Sequence, residues 1–343
     1  MRTTKSITIV GGGLSGLSLG IGLCRAGVPV EIFEAGEYPR HRVCGEFVAG
    51  LSEAVVEKLG IGPVLEGASR GQRMTWFLNE GKARTHNLPE PVLVLSRYTL
   101  DARLAQLFRA SGGQLWTGER ITSPKNELGL IVASGRKPSE EGTRWIGLKL
   151  HARHLPLSSH LEFHLGAGGY VGLTQVEDDW VNVCGMFRVR SGLHFSRNEA
   201  LQAYLSASGL KGLGERLARA SIRPGSICAV AGFDFAPQVN GGKALRIGDS
   251  CAMVPPFTGN GMAMAFTSAA LALDPLVAWS QGDCTWSAAT AEIQEVLRKK
   301  FDRRLTWASR LHPFLLNPSA QRVFGFALQS GILPMRPLYS LLH

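Results

Sequence analysis

Near the start of the chain, Gly11-Gly12-Gly13-Leu14-Ser15-Gly16 has the spacing G-x-G-x-x-G. It follows the apolar, β-branched run at 6–10 and precedes a stretch, 17–26, in which Leu17, Ile21 and Cys24 share one helical face. That context gives the spacing its chemistry. Gly11 permits a tight turn, Gly13 lets backbone approach a pyrophosphate, and Gly16 lets the helix pack close on the strand. The helix N-terminus, at Leu14 and Ser15, then offers unpaired N–H groups and a partial positive charge to phosphate oxygens. A second apolar run at 28–34 ends in Glu34, whose carboxylate can accept hydrogen bonds from both hydroxyls of an adenosine ribose. Strand, glycines, helix, strand and terminal acid together predict a dinucleotide site. Glycines alone would predict only a turn.

Three other segments carry residues of the same kind. Gly248-Asp249 follows a short strand at 244–247 and leads into Pro255-Pro256-Phe257-Thr258-Gly259-Asn260-Gly261-Met262, which opens an apolar helix from about 261 to 279. Backbone N–H groups at such a helix start stabilise negative charge on a ligand. Pro39-Arg40-His41-Arg42-Val43-Cys44-Gly45-Glu46 follows the second strand, and Ser96-Arg97-Tyr98-Thr99-Leu100-Asp101 opens a helix.

In this order, the segments resemble those of the FAD-dependent oxidoreductases that include geranylgeranyl reductases, single-component aromatic-ring hydroxylases (monooxygenases) and flavin-dependent halogenases. The resemblance covers nearly the whole chain and is specific for FAD. It implies that Asp249, after Gly248, meets the ribityl chain and pyrophosphate. It places Pro256, Gly259, Asn260, Gly261 and Met262 beside the flavin's pyrimidine edge. The loop with Arg42, Cys44 and Gly45 would pass over the flavin ring, and Arg97 would meet the phosphates. Cys44 and Glu46 become the catalytic candidates, Glu46 as proton donor or base. Equally, Cys44 reads as a small packing residue and Glu46 as a salt-bridged acid.

The resemblance is poorer for substrate. Val132-Ala133-Ser134-Gly135-Arg136 has Ser134 where the hydroxylases carry Asp. Tyr170-Val171-Gly172-Leu173-Thr174-Gln175 keeps the tyrosine of the reductases' Y-x-W-x-F-P, but Gly172 replaces the Trp and Gln175 the Pro. Tyr170, Gly172 and Phe257 are the substrate-side candidates. The halogenases' W-x-W-x-I-P is absent, since no two of the seven tryptophans are two residues apart.

The elements that position these residues form an α/β chain. The first 34 residues make a β-α-β unit with a parallel strand pair. Strands are expected at 74–78, 84–88 and 128–132, with helices at 51–59 and 99–111. From 145 to 190 four strands follow one another without helices, at 146–151, 161–165, 170–175 and 181–190, which predicts an antiparallel sheet. Helices return at 199–206, 212–220, 288–311 and 319–342. The fold class is thus a Rossmann-like FAD-binding domain of glutathione reductase type, with a parallel sheet, an inserted antiparallel β-sheet substrate domain and C-terminal helices. The expected division is 1–70, 96–144 and 225–285 for the FAD-binding domain, 71–95 and 145–224 for the substrate domain, and 286–343 for the helical segment. The glycines at 166–172 suggest open space beside the flavin.

Composition narrows the function. The 343 residues are 45% hydrophobic, enough for a large core, and their formal net charge is +10. No run of five Lys/Arg occurs, so nucleic acid is not expected as a partner. Cys24, Cys44, Cys184, Cys228, Cys251 and Cys284 are scattered without C-x-x-C spacing, against zinc and against a disulfide framework, and consistent with a cytoplasmic, reduced chain. No metal ligand set appears, and the loosely spaced His151, His154, His160 and His164 read as surface or core residues. Only one dinucleotide fingerprint appears, so no second Rossmann domain is expected for a nicotinamide. The resemblance implies FAD, with NAD(P)H or a small electron carrier as transient reductant.

The reaction divides into oxygen insertion by a monooxygenase and reduction of a C=C bond by a reductase like the geranylgeranyl reductases. A non-catalytic flavin-binding protein is a third reading. The substrate is expected to be small and lipophilic or carrier-bound, of polyketide, isoprenoid or aromatic type. The Leu- and Phe-rich, basic C-terminal helices read either as a pair packed on the core or as a face lying on a membrane or lipid carrier.

Overall fold

The computed structural model describes residues 4–78, 80–122, 127–136, 145–233, 235, 244–332 and 335–342. Asn79, between the strands expected at 74–78 and 84–88, therefore lies outside the described residues.

Two sheets organise the molecule. The first has five parallel strands: β1 (Ile7–Val10), β2 (Val30–Glu34), β6 (Gln114–Thr117), β7 (Leu130–Val132) and β14 (Leu245–Arg246), in the spatial order β14-β7-β1-β2-β6. Strand β6 was not expected from the sequence. Its four residues QLWT are too short and too mixed to show a period, and pairing with β2 is what makes them a strand.

The second sheet has nine strands. It comprises β3 (Phe47–Val48), β4 (Ser69–Leu78), β5 (Gly81–Val94), β8 (Trp145–Arg153), β9 (Leu161–Gly166), β10 (Gly169–Gln175), β11 (Val181–Arg188), β12 (Ser221–Ile222) and β13 (Cys228–Ala231). Most neighbours are antiparallel, but β4 pairs parallel with β9. Two of its strands, β3 and β13, come from stretches that the sequence assigns to the dinucleotide unit, so the chain crosses between sheets more often than the expected division allows.

Nine helices, counted among the described residues, surround the sheets. They are α1 (Leu14–Arg25), α2 (Glu53–Leu59), α3 (Arg97–Ala110), α4 (Ala200–Ala207), α5 (Lys211–Ala218), α6 (Gly261–Gln281), α7 (Trp286–Leu316), α8 (Pro318–Gln329) and α9 (Met335–Leu342). The single C-terminal helix expected at 319–342 is two helices.

The main core packs β1 and β2 with α1, α3, α6 and α7. Helix α6 alone among the described residues is long and apolar enough to cross a membrane, but two-thirds of its apolar window is buried inside the protein. A separate core forms where β8, β10 and β11 meet α4 and α5. Of the glycines at 166–172, Gly172 leaves room, since a Cβ there would meet nothing closer than the Cys184 carbonyl oxygen at 4.0 Å, whereas Gly166 and Gly168 serve packing and a turn. Gly168 takes φ +71° in the β9–β10 hairpin, and a Cβ on Gly166 would sit 2.6 Å from the Ser208 carbonyl oxygen.

The β1–α1 turn is the tightest junction. A Cβ on Gly16 would lie 2.0 Å from the Gly11 carbonyl oxygen, a backbone atom with nowhere to move. Alanine gains about 1 kcal/mol of helix propensity over glycine. Overpacking costs about 1–3 kcal/mol and wins here because the obstacle is backbone. Gly16→Ala is therefore expected to lower the melting temperature in a thermal unfolding scan, whereas an unchanged or higher value would refute this packing.

Candidate active site

Two cavities meet at Phe47. The first is a groove of about 1140 Å³ at the C-terminal ends of the parallel strands. It is lined by Gly13, Leu14 and Ser15 after β1, Glu34 after β2, and Ala133, Ser134 and Gly135 after β7. Open α/β sheets place ligands at this edge. The second is an apolar chamber of about 1010 Å³ between the antiparallel sheet and helices α7–α9. Its walls include Met74, Trp76, Phe163, Phe257, Leu311 and Leu315.

The groove is built to hold negative charge. The N-caps of α1 and α6, Gly13 and Asn260, make no side-chain cap bond, so both helix starts keep free N–H groups. Gly13, Gly261 and Met262 line the groove at these ends, and a Cβ on Gly13 would meet nothing within 4 Å. Arg42 and Arg97 line the same groove. Both are held by the fully buried Asp101, which accepts from Arg97 Nε at 2.6 Å and Nη2 at 2.8 Å and forms an ion pair with Arg42, Nε at 3.0 Å. Burial opposes the Arg97 charge, but Asp101 outweighs it and raises the guanidinium pKa. Asp101 thus fixes two of the groove's arginines.

Asp249 faces the groove. Arg97, Arg136 and Arg42 stand near enough to act on its charge. At the other end, Glu34 accepts from Gly12 N–H at 2.8 Å and from Gly36 N–H at 3.1 Å, and the Arg40 guanidinium contacts it as well. Pro256 and Gly259 line the wall toward the chamber, where the Phe47 ring packs on Gly259.

Behind the Cys44 loop lies a buried ionic cluster. Glu46 has φ +59° and is fully buried. Its Oε1 accepts from Lys149 Nζ at 3.0 Å and Arg97 N–H at 3.0 Å, and its Oε2 pairs with His151 Nε2 at 2.6 Å. Burial alone would raise the Glu46 pKa. The bonds from His151 and Lys149 outweigh it and hold the carboxyl below its ordinary value. His41 completes the cluster at 3.1 Å from Lys149 Nζ, and burial with the nearby Lys149 charge lowers its pKa to about 4.

Glu46 lines neither cavity. Its expected service as proton donor or base gives way to a structural charge: of the two readings the sequence offers, salt-bridged acid is the geometry observed. Lys149 and His151 were missed. Their signal is an i, i+2 pair of ionisable residues inside strand β8, after the apolar run at its start, hence on one face of the sheet.

Other candidates also shift. Cys44 and Gly45 line the groove. Burial raises the Cys44 thiol pKa, so the thiol stays protonated. Asn260 turns away, its Nδ2 donating to the Leu342 carbonyl at 2.8 Å. Gly11, Gly16 and Gly248 shape turns beneath the groove rather than line it. Phe257 lines the chamber, but Tyr170 and Gly172 line neither cavity. Tyr170 is buried behind the chamber wall against Phe163 and His312.

Comparison with known proteins bears on this geometry. No protein-family model matches the chain. Among solved structures, flavin-dependent brominase Bmp2 matches with a TM-score of 0.74 at 16% identity, over 98% of this chain and 92% of its own. HpxO of Klebsiella pneumoniae, in a variant complexed with FAD, matches with a TM-score of 0.73 at 17% identity, over 98% of each chain. The chain has the fold of these flavin-dependent proteins. A geranylgeranyl bacteriochlorophyll reductase-like protein from Thermoplasma acidophilum shares it with a TM-score of 0.72 at 15% identity, over 94% of this chain and 91% of its own. By sequence, menaquinone reductase of Mycobacterium tuberculosis is 24% identical over 195 residues, 52% of this chain and 47% of that protein. The chain thus spans about half the length of that relative.

The FAD-binding fold and the groove agree in their chemistry. An extended, doubly anionic dinucleotide needs donors and cations for its phosphates and an acceptor for its adenosine end. Two free helix starts, Arg42, Arg97 and Glu34 supply that set.

The buried cluster makes a prediction about acid. The folded-state pKa of Glu46 lies below its unfolded value. The stability this contributes is complete above the unfolded pKa and is lost as pH falls through the folded one. Lys149→Met strands a buried carboxylate and should cost about 3–5 kcal/mol at neutral pH. Much of that loss should be recovered when Glu46→Gln is added. Urea unfolding across neutral to acid pH reads both, and a silent Lys149→Met would contradict the cluster.

Proposed function

We propose that the protein is an FAD-dependent oxidoreductase acting on a lipophilic substrate seated in the apolar chamber. One observation carries this reading: the cation-lined groove and the apolar chamber share Phe47 and adjoin along 256–259. FAD, when bound, supplies the electron and hydride transfer, and the protein supplies binding, orientation and electrostatics. Arg42 and Arg97 would hold the phosphates, Glu34 the adenosine ribose, Asp249 the ribityl side, and the start of α6 the pyrimidine edge. NAD(P)H is the proposed donor, visiting without a second dinucleotide domain.

The chamber also suggests what the substrate carries. Trp76 Nε1 and both ring nitrogens of His86 are buried without a protein hydrogen-bond partner in a wall that is otherwise apolar. A substrate with a carbonyl or hydroxyl on an apolar body would satisfy them. Both chemistries consume one proton per NAD(P)H, so proton supply does not choose between them; reduction is favoured over oxygen insertion by the sequence likeness to a menaquinone reductase.

Anaerobic NAD(P)H titration of the holoprotein, followed by polyprenyl, polyketide and phenolic substrates, tests this reading. The flavin is expected to bleach and then to recover its colour as an alkene is saturated. Product formed only in air would assign the monooxygenase reaction instead. A flavin that no nicotinamide reduces, with no turnover, would leave a passive flavin binder. With a carbonyl-bearing substrate, Trp76→Phe is expected to raise KM about tenfold through one lost hydrogen bond.

A further inference from the structure

We infer that the outer face of α7 and α8 docks on an anionic lipid bilayer, with the mouth of the apolar chamber at that surface. The inference concerns this surface and does not require the flavin reading.

Charge changes character partway along α7. Up to residue 302 the helix is a solvated surface of paired charges, with Glu295 bridged to Arg298 and Lys299, and Asp302 to Arg298. Beyond it, residues 303–343 contain Arg303, Arg304, Arg310, Arg322 and Arg336 and no Asp or Glu. Half of the chain's net charge of +10 is thus gathered in its last 41 residues. Arg303, Arg310, Arg322 and Arg336 are exposed.

The same helices expose large apolar side chains. Phe314 is 63% exposed, Val323 72% and Phe326 70%, with Ile332 at 72% just beyond α8. On α7, Arg303, Trp307, Arg310 and Phe314 follow a 4-3-4 spacing and form one exposed stripe. On α8, Arg322, Val323 and Phe326 share one side. Aromatic and aliphatic groups flanked by arginines, without acids, are the composition of helices that lie in the headgroup region. Arginine stems can bury along such a surface while their charge stays at the phosphates.

The inner sides of these helices are fixed to the protein. Leu315, Leu316 and Leu328 are buried, Gln321 Nε2 donates to the Gly166 carbonyl at 3.0 Å, and Arg84 donates to the Leu328 carbonyl at 2.9 Å. The face is therefore preformed. It also reaches the chamber, because Phe314 lines that cavity while being mostly exposed, and so stands at its mouth. A lipophilic substrate dissolved in a bilayer would enter there without crossing water. A second copy of the chain is disfavoured as occupant, since like-charged faces would meet.

Sedimentation of the full chain with vesicles tests the docking without using turnover. Binding is expected to vesicles of phosphatidylglycerol mixed with phosphatidylcholine, weakened by salt, and little or none to phosphatidylcholine alone. Each arginine near an anionic surface contributes about 1 kcal/mol, so Arg310→Gln with Arg322→Gln should weaken binding roughly thirtyfold. Phe326→Ser should weaken it at high salt, where the apolar contribution dominates. Unchanged circular dichroism and thermal unfolding would show that the variants fold. Equal binding to both vesicle types, no binding to either at low salt, or no effect of the arginine variants would overturn the inference. So would light scattering that shows a dimer in which Phe326 is protected from lipid.

Discussion

The Glu46 carboxylate is where the two sheets of this protein are tied together. It sits in a loop leaving the parallel sheet, and its partners Lys149 and His151 project from β8 of the other sheet. All three side chains are out of water. An isolated buried charge of this kind is expensive, so the geometry holds only while every partner is in place. Glu46 also occupies the left-handed backbone region, which costs a non-glycine residue roughly 1–2 kcal/mol. The bonds from Lys149, His151 and the Arg97 N–H hold it there.

What that strained residue positions lies on either side of it. Cys44 and Gly45 precede it in the groove, and Phe47 follows it at the boundary with the chamber. Asn182 Nδ2, on β11, donates to the Cys44 carbonyl oxygen at 2.9 Å and pins the same loop from the second sheet. A second tie runs through Asp101, which holds Arg42 and Arg97 in the groove. Glu46 and Asp101 meet through Arg97, whose backbone bonds one and whose side chain bonds the other. The wall shared by a charged groove and an apolar chamber is thereby rigid on its polar side. Polar and apolar halves of a ligand pair can be kept apart yet adjacent.

Much of the groove was legible because its chemistry is local. Gly11–Gly16, Glu34 and the segment at 256–262 carry their meaning within a turn and a helix start, where spacing alone dictates geometry. The ionic cluster is not local. His151 and Glu46 stand 105 residues apart, and neither strand nor loop announces the other. Strand β6 was missed for a related reason, since a partner and not a pattern makes it a strand. Tyr170 and Gly172 line neither cavity, because a family motif gives a strand and a register but not which surface a neighbouring helix will cover. Helices α7 and α8 joined two readings the sequence kept separate, with one side packed on the sheet and the other left bare.

The central claim is that the groove reads an entire dinucleotide, from Glu34 at one end to the start of α6 at the other. Calorimetric titration of flavin-free chain with FAD and with FMN tests it most directly. One-site binding of FAD, with FMN far weaker because it lacks the adenosine half, is the predicted result. Equal affinity for the two flavins, or no binding of either, would contradict it.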